Sequence, residues 1–258
     1  MNPAGLQLRV AYLLLFFCLS GFVFFWLYRD SVKTGAVTGF KFAVLRFSRL
    51  YPLHIVTLIA VLVMQRAVMH LYGAYFIYHY NDARHFILNL FLISDWGFQA
   101  GWSFNGPVWS VSREVFLYAV FFLLCRLGSR VLSIRPASIA LVAAGLVLEF
   151  ILPSSSTGRG LLCFFMGGLA HDVYESLVRA EAIEAAWKPL LVACLGMWAF
   201  IILSRVLRLG TLYGRLTCID FTGLELFPLT VLTAAVLETK RGCLGRRLSF
   251  LGDISYSA

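Results

Sequence analysis

Arg113 and Glu114 stand side by side in an otherwise apolar stretch, Gly106 to Leu124, reading GPVWSVSREVFLYAVFFLL. Placing either charge in hydrocarbon costs roughly 2.5–3.5 kcal/mol on insertion scales, so each needs a partner or a task. A helix beginning near Pro107 stacks Ser110, Glu114, Leu117 and Phe121 on one stripe, and Trp109, Arg113 and Phe116 on its neighbour. Glu114 is then expected to face a bundle interior, where a carboxylate can pair with a cation, hold a substrate hydroxyl or take up a proton. Arg113 is expected to snorkel toward the interface. A structural ion pair, or a carboxylate favoured by the helix dipole, would account for the same residues with no chemistry at all.

A second basic site reads LRFSRLYPLHIV, with Arg46 and Arg49 three apart and so neighbours on one helix face. Two guanidiniums at that spacing can grip phosphate or carboxylate oxygens, as a nucleotide-bearing donor would require. Arginine at the mouth of a span is also what membrane orientation selects without any function. Arg159, opening RGLLCFFMGGLAHD, fits donor binding and boundary anchoring equally well. Glu149, Asp220 and Glu225 lie in or beside apolar runs, and the last two could share a proton or a cation if they were not interfacial. Of the histidines, His54 is the one internal candidate for a proton acceptor, against a structural role for its ring. Three of the others flank connectors, where a solvated imidazole needs no role. The sequence contains no H-E-x-x-H, G-x-S-x-G, G-x-x-x-x-G-K or G-x-G-x-x-G motif, so those hydrolase and nucleotide-loop readings have no local support.

The elements that position these residues follow from composition. The 258 residues are 60% hydrophobic and 14% charged, with mean hydropathy +0.82, too apolar for an ordinary soluble domain. Seven long apolar segments, at about 8–28, 46–68, 107–126, 136–153, 159–175, 188–205 and 218–238, can each cross a bilayer. The shorter run Phe86 to Ile93 is expected to be re-entrant or interfacial. With no repeat or linker, the chain reads as one all-α, polytopic transmembrane bundle over residues 1–258.

The net charge of +9 would raise nucleic-acid binding in a soluble chain, but here the basic residues sit mainly in short connectors. Those after the first, third and last segments are placed in the cytoplasm. The connector with Arg205, Arg208 and Arg215 falls on the wrong side of that scheme. The six cysteines, Cys18, Cys125, Cys163, Cys194, Cys218 and Cys243, lack metal-ligand spacing and read as packing residues.

Four separated stretches resemble the integral-membrane acyltransferase type 3 family. FFCLSGFVF at Phe16 to Phe24 is similar to its FFxLSGF helix, and RFSRLYPLH at Arg46 to His54 to its R-x-x-R-x-x-P segment. WSVSREVFLY at Trp109 to Tyr118 resembles its W-S-L-S-x-E-x-x-F-Y box, and FLGDISYS at Phe250 to Ser257 the opening of its last helix. The resemblance implies a bundle of about ten helices in a bacterial inner membrane. It implies acyl transfer from acyl-CoA, a co-substrate and not a bound cofactor, to a hydroxyl of a polysaccharide or lipid-linked sugar.

By matching position, Glu114 and Ser110 become the catalytic candidates, and Arg46 and Arg49, with Arg159, the donor-binding ones. Trp109, Ser112 and Tyr118 would line the acceptor site; no metal is expected. The family's proposed basic histidine lies on a helix ahead of FFxLSGF, whereas the first histidine here is His54. The chain is therefore expected to be incomplete at both ends. Arg113 replaces a small apolar family residue, and Val115 a frequent Glu. The rival readings are a non-catalytic membrane partner or relic, and a small-molecule transporter whose buried acids bind ions.

Overall fold

The computed structural model describes residues 3–75, 78–128, 133–152, 156–206 and 225–241, with side chains apart from those of residues 3–12, 49, 156 and 204–206. Along these residues run α1 (Pro3–Lys33), α2 (Gly39–Tyr72), α3 (Ala83–Leu90), α4 (Val108–Gly128), α5 (Ile134–Ile151), α6 (Ser156–Arg179), α7 (Ile183–Val206) and α8 (Phe227–Arg241). The described residues contain no strand. In hydrocarbon every backbone polar group must bond within its own segment, and a helix does this. Six of the helices, α1, α2 and α4 to α7, are long and apolar enough to cross a membrane. The expected seventh segment falls partly outside the described residues, which pick it up at α8.

Local chemistry sets the ends. Thr38 caps α2 by accepting from the Lys41 amide, and Gly73, at φ 69°, closes it in the left-handed region that glycine tolerates. This long helix therefore starts well before the expected 46 and continues through Pro52. The interfacial run forms α3 three residues earlier than hydropathy indicates, because Asp82 accepts from the His85 amide at its N-terminus.

Alternating crossings make α1, α4, α6 and α8 run one way and α2, α5 and α7 the other. Contacts agree: Cys18 lies against Gly167, and eleven residues later Arg29 reaches Asp172 and Glu175. Close approach of α1 and α6 depends on glycine, since a Cβ on Gly21 would collide with the Phe164 carbonyl and one on Gly167 with that of Cys18. Around this pair Phe17, Phe25, Phe121, Phe164 and Phe165 are fully buried and make an aromatic core with α4. One end of the bundle gathers the basic residues Lys33, Lys41, Arg126, Arg135, Lys240 and Arg241. The opposite end carries α3 and the segment leading into α4.

Candidate active site

Arg46 sits seven residues into α2 from the basic end, about 10 Å along the axis. Its guanidinium carbon lies 4.5 Å from the ring centroids of both Phe24 and Tyr28 of α1, and 5.8 Å from that of Tyr118 of α4. Phe24 and Tyr28 are one helical turn apart, so they form a continuous aromatic wall for the cation. Arg46 Nε is sealed from water with no hydrogen-bond acceptor, and no carboxylate pairs with the guanidinium among the described residues. A cation met by rings and, among the described residues, by no acid has the chemistry to receive an anion or a polarised carbonyl.

Glu114 comes from the other end, six residues into α4, and is 8% exposed. Tyr118, one turn further on, donates its hydroxyl proton to Glu114 Oε1. The same Tyr118 ring stacks on Phe24 at 4.2 Å and 16°. Tyr118 thus touches the carboxylate with its oxygen and the arginine's aromatic wall with its ring. The expectation that Glu114 faces inward holds.

Arg113 corrects the sequence reading. It is 3% exposed and does not snorkel. Its Nε and Nη2 fork onto Asp95 Oδ2 at 3.0 and 2.5 Å, and Nη1 donates to Thr157 Oγ1 of α6. Desolvating the ion is tolerable because an acid and a hydroxyl meet it. Asp95 lies in the segment after α3, beyond the reach of any periodicity argument.

The neighbouring serines and Trp109 separate in the same way. Ser112 is fully buried, accepting from the Asp95 amide at 3.0 Å through Oγ and from Trp96 Nε1 at 2.9 Å through its carbonyl. It ties down the segment between α3 and α4. Ser110 is in the first turn, its hydroxyl donating to the Pro107 carbonyl at 3.1 Å, and Trp109 is half-buried beside it. Arg159 forks onto Glu149 Oε1 of α5, at 3.0 Å from Nε and 2.6 Å from Nη2. The side chain of Arg49 lies outside the described residues, as do Asp220, Arg208, Arg215, the side chain of Arg205 and the segment Phe250 to Ser257. Glu225, at the lead-in to α8, is exposed.

His54 is 6% exposed, and its Nε2 lies 2.8 Å from the Asn89 carbonyl, so Nε2 is the donor and the ring links α2 to α3. His85 is also buried, in contrast to the solvated role expected beside a connector, and its Nδ1 meets Asp82 at 2.8 Å. Burial and bonding of His85 help hold down the segment before α4. At the basic end, ligand-type atoms of His171, Asp172 and Glu175 come within 4.8 Å of one another. Arg29 already bridges the two carboxylates, at 2.5 and 2.6 Å, and Arg135 approaches Asp172 at 3.4 Å. Cys18, Cys125, Cys163 and Cys194 are buried and joined in no disulfide among the described residues, and Cys194 Sγ lies 3.8 Å from Thr230 Oγ1.

An acyltransferase domain model matches residues 12–258, nearly the whole sequence and every element just described. The chain belongs to the acyltransferase type 3 family. No curated protein and no solved structure matches it. With six helices among the described residues long and apolar enough to cross a membrane, this acyltransferase is a multi-pass membrane protein. Two features of its site were readable beforehand, the inward Glu114 and the basic residue at Arg46. The cradle of Phe24 and Tyr28, and the tether of Tyr118 to Glu114, required the helices to be placed. Their one available signal was the spacing of four residues within FVFFWLY and EVFLY.

Proposed function

We propose that this acyltransferase moves an acyl group from acyl-CoA, entering from the basic, cytoplasmic end, to a hydroxyl of a carbohydrate or lipid-linked sugar approaching from the opposite end. The observation that carries the proposal is Tyr118, which touches Glu114 with its hydroxyl and the wall of Arg46 with its ring. Basic residues collect on the cytoplasmic side of membrane proteins, and a bacterial plasma membrane supplies that geometry. An anionic thioester donor is drawn to the same end.

In the reaction the acceptor oxygen bonds to the thioester carbonyl carbon, the C–S bond breaks, and the proton released from the hydroxyl ends on the thiol. Arg46, which no acid neutralises among the described residues, meets the oxygen that gains negative charge. Glu114 accepts the acceptor hydroxyl's hydrogen bond and orients it, with Tyr118 fixing the carboxylate. Ser110, one turn above, lies at the mouth on the acceptor side. Arg49, adjacent on α2, belongs to the donor side of the same reading. Arg159 and Ser112, each bonded to protein partners, support the helices that hold the site.

The test is acyl transfer by membranes containing the full-length protein, supplied with radiolabelled acetyl-CoA and read as label in the carbohydrate and lipid-linked sugar fractions. Glu114→Gln should lower transfer about 10²–10⁴-fold, and Arg46→Ala about 10²–10³-fold. Membrane insertion should persist in both. Normal transfer by both variants would overturn the site assignment, and the absence of transfer to any sugar by the unaltered protein would overturn the acceptor class.

A further inference from the structure

A groove between α2 and α4 runs from Gly39 and Phe122 past Arg46 and Tyr118 of the proposed reaction site to Leu50 and Val115. Ala43, Arg46 and Phe47 line one side, and Val115, Ala119 and Phe122 the other, with Tyr118 beside Arg46. Its volume is about 190 Å³. Apart from Arg46 and Tyr118 the lining is apolar, and each wall carries an alanine, Ala43 on α2 and Ala119 on α4, whose small side chains leave the slot room. The far end is narrow, since a Cβ on Gly39 would already sit 3.3 Å from the Phe122 ring.

We infer that this groove holds the acyl chain of the thioester donor, with the carbonyl at Arg46 and the tail folded back toward Gly39 and Phe122 at the end where the donor enters, so that Ala43 and Ala119 set the chain length accepted. This rests on the reading that the protein transfers acyl groups from acyl-CoA. The polar arm of the donor is a poor occupant, because its amides would lose water and find no partners along an apolar wall. A hydrocarbon chain loses nothing and gains contact. The polar side chains of the lining, the cation of Arg46 and the phenol of Tyr118, lie together, 5.8 Å from guanidinium carbon to ring centroid, with apolar wall on either side. That polarity matches a molecule with a carbonyl head and an apolar tail. From Arg46 to Gly39 the helix rises about 10 Å, room for a chain of medium length.

The experiment measures binding of acetyl-, butanoyl- and octanoyl-CoA to the purified full-length protein in nanodiscs, together with native mass spectrometry of retained phospholipid. Octanoyl-CoA should bind at least about tenfold tighter than acetyl-CoA, as six more buried methylenes allow. Ala119→Phe should reduce that ratio to near one, and Ala43→Leu, from the opposite wall, should do the same independently. A ratio unchanged in both variants, or no chain-length dependence in the unaltered protein, would overturn the inference while leaving acyl-CoA as donor. A retained phospholipid lost in Ala119→Phe, with the acyl-CoA ratio unchanged, would assign the groove to a lipid tail and also overturn it. Failure to bind any acyl-CoA, acetyl-CoA included, would remove the donor itself, and this inference with it.

Discussion

Tyr118 and Arg46 answer different questions about the site, and substitutions separate them. Tyr118→Phe keeps the ring on Phe24 and removes the bond to Glu114. A hydrogen bond to a charged group contributes about 1.5–3 kcal/mol, so kcat should fall about 10–100-fold with KM for the donor little changed, checked by steady-state transfer assays. Arg46→Lys keeps the charge but replaces a flat, delocalised cation with a strongly hydrated ammonium that fits two rings less well. Donor KM should rise several-fold in the same assay. The charge of Glu114 and its inward face were legible in the sequence, because a carboxylate in an apolar helix has few tolerable directions. The partner of Arg113 was not, since Asp95 reaches it from a segment without periodicity.

At the scale of elements, α1 and α6 approach as closely as glycine permits, and the aromatic wall for Arg46 rides on α1. Gly21→Ala should force the helices apart and cost about 1–3 kcal/mol, seen as a lower unfolding midpoint in detergent. Donor binding should weaken with it, because Phe24 and Tyr28 would move away from Arg46. At α3, hydrogen bonds from the His85 amide and ring hold the Asp82 carboxyl below its ordinary value. The folded value is therefore the lower one, so this stabilisation is complete above the unfolded carboxyl range near pH 3.9 and is lost as pH falls through the folded value. Protection of the His85 amide from hydrogen exchange, taken relative to its intrinsic rate at each pH, should fall only on acidification, and Asp82→Ala should lower it at neutral pH. Apolar length located α3 within a few residues, while its start depended on that cap.

For the whole molecule, the two ends of the bundle face different compartments. In intact cells a cysteine at Lys41 should react with a membrane-impermeant maleimide only after the membrane that holds the protein is opened, and one at Trp102 without opening it. Reversed labelling would overturn the proposed entry of the donor from the basic end. The basic end also carries the lock between α1 and α6, where Arg29 holds two acids, one of them deeply buried. Arg29→Ala leaves that acid without its closest cation, and about 3 kcal/mol of stability should be lost in thermal unfolding of the purified protein. The same loss should follow in every assay that needs an intact bundle.

The amino-acid order by itself determined that this is a multispanning helical acyltransferase, because hydropathy over about twenty residues and four spaced motifs are local properties of the chain. It also determined that Glu114 looks inward, through the cost of a charge in lipid. Only the tertiary structure decided what surrounds each charge: rings around Arg46, Asp95 on Arg113, Glu149 on Arg159 and Tyr118 on Glu114. Three of these four arrangements cross between segments, and a helical repeat specifies which face a residue occupies but not which helix that face meets. Pairing across helices follows from close approach at glycines and from the fit of side chains. The apolar groove beside Arg46 belongs to the same class, since a gap exists only between elements already in place.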